Sequence, residues 1–125
     1  MIDRITISSS IEVKIQAILD VSGFATKATV IRLSIALGLK YIDKCKDYQF
    51  EDRSGGTYTR NVLFQGKDDI YFALVKIAEN KYLEDSEIIT KYLPKYLYFG
   101  VNLLHEKFIN NNQDSSLKWL LSEVN

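Results

Sequence analysis

Residues 3–24, DRITISSSIEVKIQAILDVSGF, and residues 25–42, ATKATVIRLSIALGLKYI, decide the fold of this chain. Arg4–Ser8 alternate, with Ile5 and Ile7 on one side and Arg4, Thr6 and Ser8 on the other. A period of two predicts a strand with one wet face. Five residues make no sheet alone, so this strand requires a partner. Ser9 or Ser10 is placed to cap the helix that follows. Ile11, Ile15, Ile18 and Leu19 fall at i, i+4, i+7 and i+8, a single buried stripe. Gly23 ends that helix, as a left-handed residue past a C-terminus does.

Thr26 is placed to cap a second helix running to about Lys44. Thr29, Arg32, Ala36, Lys40 and Asp43 share one narrow face, and the other positions are mostly apolar. A helix apolar on most sides is buried on most sides. Strand, helix, turn and helix is the order of a ribbon-helix-helix unit. Such a unit leaves apolar surface uncovered, which predicts a homo-oligomer.

Residues 45–66 carry no helical stripe. Gly55-Gly56 reads as a turn, with Tyr58, Val62 and Phe64 as strand-like residues around it, a loop or short hairpin. Helices follow. Asp68 and Asp69 sit at the start of the first, with Ile70, Leu74, Ile77 and Ala78 as its core stripe. The next begins near Asp85 or Ser86, and Pro94 kinks or restarts it. Leu97, Val101, Leu104 and Phe108 form one stripe beyond it; Tyr92, Tyr96, Phe99 and Leu103 form a second. Asn110–Asn112 stop this helix, and Asp114 or Ser115 caps a last one carrying Leu117, Leu120 and Leu121. The expected fold is a single, mainly α domain over residues 1–125. It has a ribbon-helix-helix-like N-terminal unit (a short strand plus two helices), a short hairpin or loop, and a C-terminal helical bundle.

The 125 residues hold 16 Lys/Arg and 16 Asp/Glu, so formal net charge is zero. Residues 1–46 carry seven basic against four acidic residues, and residues 47–125 nine against twelve. An anionic ligand should therefore meet the N-terminal half. The single cysteine, Cys45, allows no intrachain disulfide and suits a reducing compartment. No run nears the roughly 20 apolar residues of a membrane span, and the N-terminus has no apolar signal core. A cytoplasmic location is expected.

The usual chemistry-bearing motifs are missing. His105 sits on a helix between core stripes with no nucleophile placed by motif, and reads as structural. Cys45 lies between Lys44 and Lys46, which could lower its pKa. One Cys and one His build no zinc site, and DRSGGTYTR lacks the spacing of a phosphate loop. No catalytic residue, metal ligand or cofactor is assigned. What remains is basic residues with polar neighbours. Arg4, Thr6 and Ser8 form the wet strand face, of the kind a ribbon presents to a DNA groove. Lys14, Lys27, Arg32 and Lys40 lie on the adjoining helices. Arg53 and Arg60 flank the double glycine, whose backbone amides could join them on a phosphate.

Three blocks carry a family resemblance: ISSSIEVKIQAILDVSGFATKATVIRLSIALGL (7–39), GGTYTRNVLFQGKDDIYFALV (55–75) and LPKYLYFGVNLLHEKF (93–108). Their content and order resemble the DNA sulfur modification protein DndE family of bacterial DNA phosphorothioation systems. The chain departs from that pattern at Thr57, where an acidic residue is common, and in its neutral charge. The resemblance implies a mostly helical tetramer without catalysis of its own. It would bind duplex or nicked DNA and work with sulfur-transfer and ATPase subunits. Two other readings stand beside it. One is a ribbon-helix-helix repressor or antitoxin. The other is a metal-dependent nickase using Glu51, Asp52, Asp68 or Asp69.

Overall fold

A computed structural model describes residues 3–123 of the chain. β1 (Arg4–Thr6) leads into α1 (Ser9–Ser22), with Ser8 as the extended N-cap. Ile5, Ile7, Ile11, Ile15 and Ile18 are all buried, as the two periodicities predict. Ser8 departs from its expected place on the wet face. The chain turns into the helix there, Ser8 is fully buried, and its hydroxyl meets that of Ser10 at 3.3 Å. Gly23 ends α1 with a φ of 83°, a conformation that costs glycine little. Thr26 caps α2 (Lys27–Lys40), its hydroxyl accepting the Thr29 N–H at 3.2 Å. α2 stops at Lys40 rather than Lys44, and a 3₁₀ turn spans Ile42–Lys44.

The partner of β1 comes from far along the same chain. β2 (Thr57–Thr59) pairs antiparallel with it, Arg4 opposite Thr59, Ile5 opposite Tyr58 and Thr6 opposite Thr57. No local hairpin forms around the double glycine, because β2 takes β1 as its neighbour. Val62 and Phe64, expected as strand residues, lie in α3 (Arg60–Phe64). Thr59 makes the switch: the last residue of β2 accepts the Val62 N–H at 3.2 Å and so caps α3.

α4 (Asp68–Glu79) is rotated from expectation. Ile70, Leu74 and Ile77 are 58%, 46% and 74% exposed, while Phe72 and Val75 are buried. Residues 70–75 are an unbroken apolar run with no unique helical phase, so packing selects the phase. Phe64 meets Tyr71 and Phe72 at centroid distances of 4.7 and 5.9 Å, and the Arg60 guanidinium lies 4.7 Å from the Phe72 ring centre. Aromatic pairs add about 0.5–1.5 kcal/mol each beyond their buried area, and here they hold Phe72 inward.

α5 (Asp85–Glu87) opens on a capping box between Glu84 and Glu87 and runs through a π turn (Ile88–Tyr92) into α6 (Leu93–Asn110). Pro94, in the first turn of α6, has no N–H for the Thr90 carbonyl one turn back. The widened π turn accommodates that loss. Leu97, Val101, Leu104 and Phe108 are buried along one stripe, as predicted, and Tyr92 and Tyr96 are buried on the second. α7 (Gln113–Glu123) starts earlier than expected. Asn112, not Asp114 or Ser115, accepts a first-turn amide, that of Ser115 at 2.8 Å. No helix among the described residues is long and apolar enough to cross a membrane.

α2 crosses α6 at backbone contact. A Cβ on Gly38 would lie 2.5 Å from the Tyr96 Cβ and 2.7 Å from the Tyr96 carbonyl oxygen, and one on Gly100 would collide with the Ser34 backbone. Ser34 fits the crossing because it is small, and its hydroxyl turns back onto the Val30 carbonyl at 2.8 Å. Val30, Ile31, Ile35 and Leu37 are buried around this point. The apolar circumference of α2 is therefore largely covered within one chain, by α1, α3, α4 and α6, with Leu33 and Leu39 left partly exposed. The surface expected to force oligomerisation is largely closed, and a more exposed apolar stripe lies on α4. Gly100→Ala should lower stability by about 1–3 kcal/mol, because the obstacle is backbone that cannot step aside. Urea unfolding should show a lower midpoint at unchanged slope; an unchanged midpoint would mean that the crossing is not tight.

Candidate nucleic-acid interface

The antiparallel register places Arg4, Thr6, Thr57 and Thr59 on one face of the ribbon. The Thr6 and Thr57 hydroxyls meet across it at 2.8 Å. Ile5 and Tyr58 take the other face. The Tyr58 hydroxyl donates to the Glu12 carboxylate at 3.0 and 3.1 Å, and burial together with that carboxylate pushes the phenol well above its ordinary range. Glu12 also accepts the Gly56 N–H at 2.8 Å, with the Lys27 ammonium 3.7 Å away. The Gly55 N–H donates to the Ile7 carbonyl at 2.9 Å. The double-glycine amides, expected to face a phosphate, are thus used to fasten the loop to β1 and α1.

Asp52 fastens the same loop from its other end. Its carboxylate accepts the Ser54 N–H at 2.8 Å and, at the start of α1, the Ser9 N–H at 2.9 Å and the Ser9 hydroxyl at 3.2 Å. The Ser54 and Ser9 amides hold this carboxyl below its ordinary value. Between these two anchors Arg53 is exposed, with no ion-pair partner among the described residues.

The eight residues singled out by sequence divide sharply. Arg4 is 68% exposed in its side chain, with only a loose 3.8 Å pair to Asp3. Arg4, Thr6 and Arg53 line one cleft of about 580 Å³ with Asp3, Gln49, Phe50, Thr90 and the mostly buried Ile5, Ile89 and Pro94. The other five cations have internal partners. Lys14 donates to the Asn102 side chain, and Lys27 faces Glu12. Arg32 donates to the Leu63 carbonyl at 2.6 Å, near the end of α3. Lys40 bonds the Glu123 carboxylate at 2.7 Å and its carbonyl at 2.5 Å. Arg60 pairs with Asp68 at 2.6 Å and Asp85 at 3.2 Å. Thr57 and Thr59 belong to the ribbon face by register. Gln49, Phe50 and Thr90 join the cleft through tertiary packing alone, so no local signal announces them.

The candidate catalytic groups are dispersed. Burial raises the Cys45 thiol to about 11, although Lys95 opposes the shift, so the flanking lysines do not activate it. Burial, with Lys14 nearby, lowers the His105 pKa and favours the neutral ring. Asp68 is occupied by Arg60 and Asp52 by two amides, while Asp69 is exposed elsewhere. Among the described residues no group of three or more His, Cys, Asp or Glu is placed to hold a metal ion. No protein-family model matches the chain, and no curated protein matches its sequence at a significant level.

Asp52 gives this region a pH signature. Its folded pKa lies below the ordinary value, so it contributes stability that is full above that value and lost as pH falls through the folded pKa. Asp52→Asn should therefore be less stable than the native chain at neutral pH, and the gap should close below about pH 4. Thermal unfolding across that range reads this directly; a gap independent of pH would assign the effect to packing.

Proposed function

We propose that this chain is a non-enzymatic DNA-binding or scaffold subunit of the bacterial DNA phosphorothioation machinery. It is a DndE-like protein that contacts duplex or nicked DNA through the outer face of its ribbon. The observation that carries the DNA contact is the grouping of Arg4, Thr6, Thr57 and Thr59 on one strand face, with Arg53 beside it. Guanidinium and hydroxyl groups in one row suit a phosphate backbone, which positions a protein without reading sequence. The order of the three resembling blocks supports the assignment to this machinery, whose sulfur-transfer and ATPase subunits would supply the chemistry. The ribbon is completed inside one chain, which favours this reading over a simple repressor whose strand must pair with a second copy.

Phosphate contacts release counterions, so affinity should fall steeply with salt. Arg4→Ala and Arg53→Ala should each weaken gel-shift binding equally across sequences and flatten the salt slope by about 0.9 per lost contact. The DNA should stay intact with or without Mg²⁺ or Mn²⁺. A slope that survives both changes would sink the ribbon assignment. Nicking by the pure protein, lost on changing Asp68 or Glu51, would replace the scaffold with a nickase.

The same reading includes a homo-oligomer, a tetramer by the resemblance, and α4 is the face that supports it. Ile70, Ala73, Leu74 and Ile77 form an exposed apolar stripe. Two copies of α4 laid antiparallel set Ile70 of one against Ile77 of the other and bring Asp69 toward Lys76, with the helix dipoles opposed. Light scattering should give a mass well above the 14.4 kDa of one chain. Ile77→Glu should reduce that mass while leaving the helical spectrum intact, since Ile77 is 74% exposed. A native monomer at micromolar concentration would end this part of the reading.

A further inference from the structure

We infer that the cleft beside the ribbon takes a single unpaired nucleotide, its base against Phe50 and its phosphate between Arg4 and Arg53. The inference rests on the DNA-contacting role of the ribbon and adds to it a ligand for the cleft. Three observations carry it. The cleft is partly open to solvent, and its volume of about 580 Å³ falls in the range of small-molecule sites. Its lining is mixed: Ile5, Ile89 and Pro94 are nearly covered and leave only a narrow apolar strip, Phe50 adds a half-buried ring, and the polar side chains of Arg4, Arg53, Gln49, Thr6 and Thr90 line the rest. Its two arginines are the candidate cations that the fold leaves without close partners, whereas Arg32, Lys40 and Arg60 are tied down at 2.6–2.7 Å.

A phosphate alone would need only the ribbon face. A cleft lined by two guanidinium groups, polar side chains and one aromatic ring suits an anion that carries a flat ring. A nucleotide turned out of the stack is such a group, and base–aromatic stacking is indifferent to sequence. Gln49 and the Thr90 hydroxyl supply polar atoms at the rim, although the Thr90 hydroxyl already donates to the Ser86 carbonyl at 2.7 Å and has only its lone pairs to offer. Asp3 also lines the cleft and lies 3.8 Å from Arg4, so a bound phosphate would have to compete with it. A base already unpaired avoids the unstacking cost, which makes a bulge or flap the preferred substrate over an intact duplex.

The test compares two short duplexes of one sequence, fully paired or carrying one bulged 2-aminopurine, in fluorescence titrations with the native protein. The bulged duplex should bind about tenfold tighter, the size of one base–aromatic stack, and its fluorescence should be quenched on binding. Phe50→Leu keeps apolar volume but removes the ring, and should erase both the preference and the quenching while binding to the paired duplex persists. Thr90→Leu, at an exposed cleft position, adds bulk without a ring and should do the same by filling the space. Equal affinity for the two duplexes, or a preference that survives both substitutions, overturns the cleft inference and leaves the ribbon contact standing. Failure to bind either duplex at low salt overturns the DNA-contacting role itself.

Discussion

The approach of α2 to α6 at Gly38 and Gly100 is the constraint on which the other elements depend. Two helices in backbone contact leave no room for side chains between them, so their apolar residues spread sideways into the layers on either flank. Ile31 and Ile35 of α2, with Leu97, Val101 and Leu104 of α6, supply those layers. α1 lies against both helices, and α3 and the start of α4 pack on the α2 side. β1, fixed to α1 by the capping turn at Ser8, then has a rigid base against which its single inward face can settle.

Charge is distributed by the same logic. A neutral chain with 16 cations and 16 anions can scatter its charges or match them, and here most of the matched pairs join elements distant in sequence. Lys40 reaches the last turn of α7, Arg60 joins α3 to α4 and α5, and Lys95 joins α6 to Glu79 at the end of α4. Glu79 carries both Lys95 and the Tyr96 hydroxyl. Burial works against its ionised form, and these two donors outweigh it, so its carboxyl stays below the ordinary value. Isolated exposed ion pairs contribute little, but hydrogen-bonded pairs that are half-buried fix the orientation of the pieces they connect. What remains for an outside partner is the small set that no internal anion claims closely.

The N-terminal half was legible because each of its signals was local. Alternation gave β1, a single stripe gave α1, and Gly23 and Thr26 gave the turn between the helices. Legibility failed where a choice belonged to tertiary packing. The run Ile70–Val75 is apolar at every position, so the phase of α4 was set by Phe64 and Arg60, residues outside the helix. α2 was correctly read as buried on most sides, but nothing in its own sequence says whether the surface that meets it belongs to the same chain or to another. The candidate interface shows the same division. Arg4 and Thr6 followed from alternation. The loss of Lys14, Lys27, Arg32, Lys40 and Arg60 to internal partners depended on contacts across as many as 88 residues. Phe50 and Thr90 reached the cleft by the same non-local route.

The pairing of β1 with β2 also sets an order of events in folding. Thr6 and Thr57 are 51 residues apart in sequence, so closing the ribbon means closing a long loop. α1 and α2 can form and meet through local contacts well before that. During synthesis β1 therefore emerges before β2 and stays unpaired until Thr57–Thr59 have followed it out of the ribosome. An unpaired strand edge carrying an isoleucine, with Ile7 just beyond it, is prone to the wrong neighbour during that interval. The brevity of β1, three residues with arginine and threonine at its ends, limits what such a neighbour could hold.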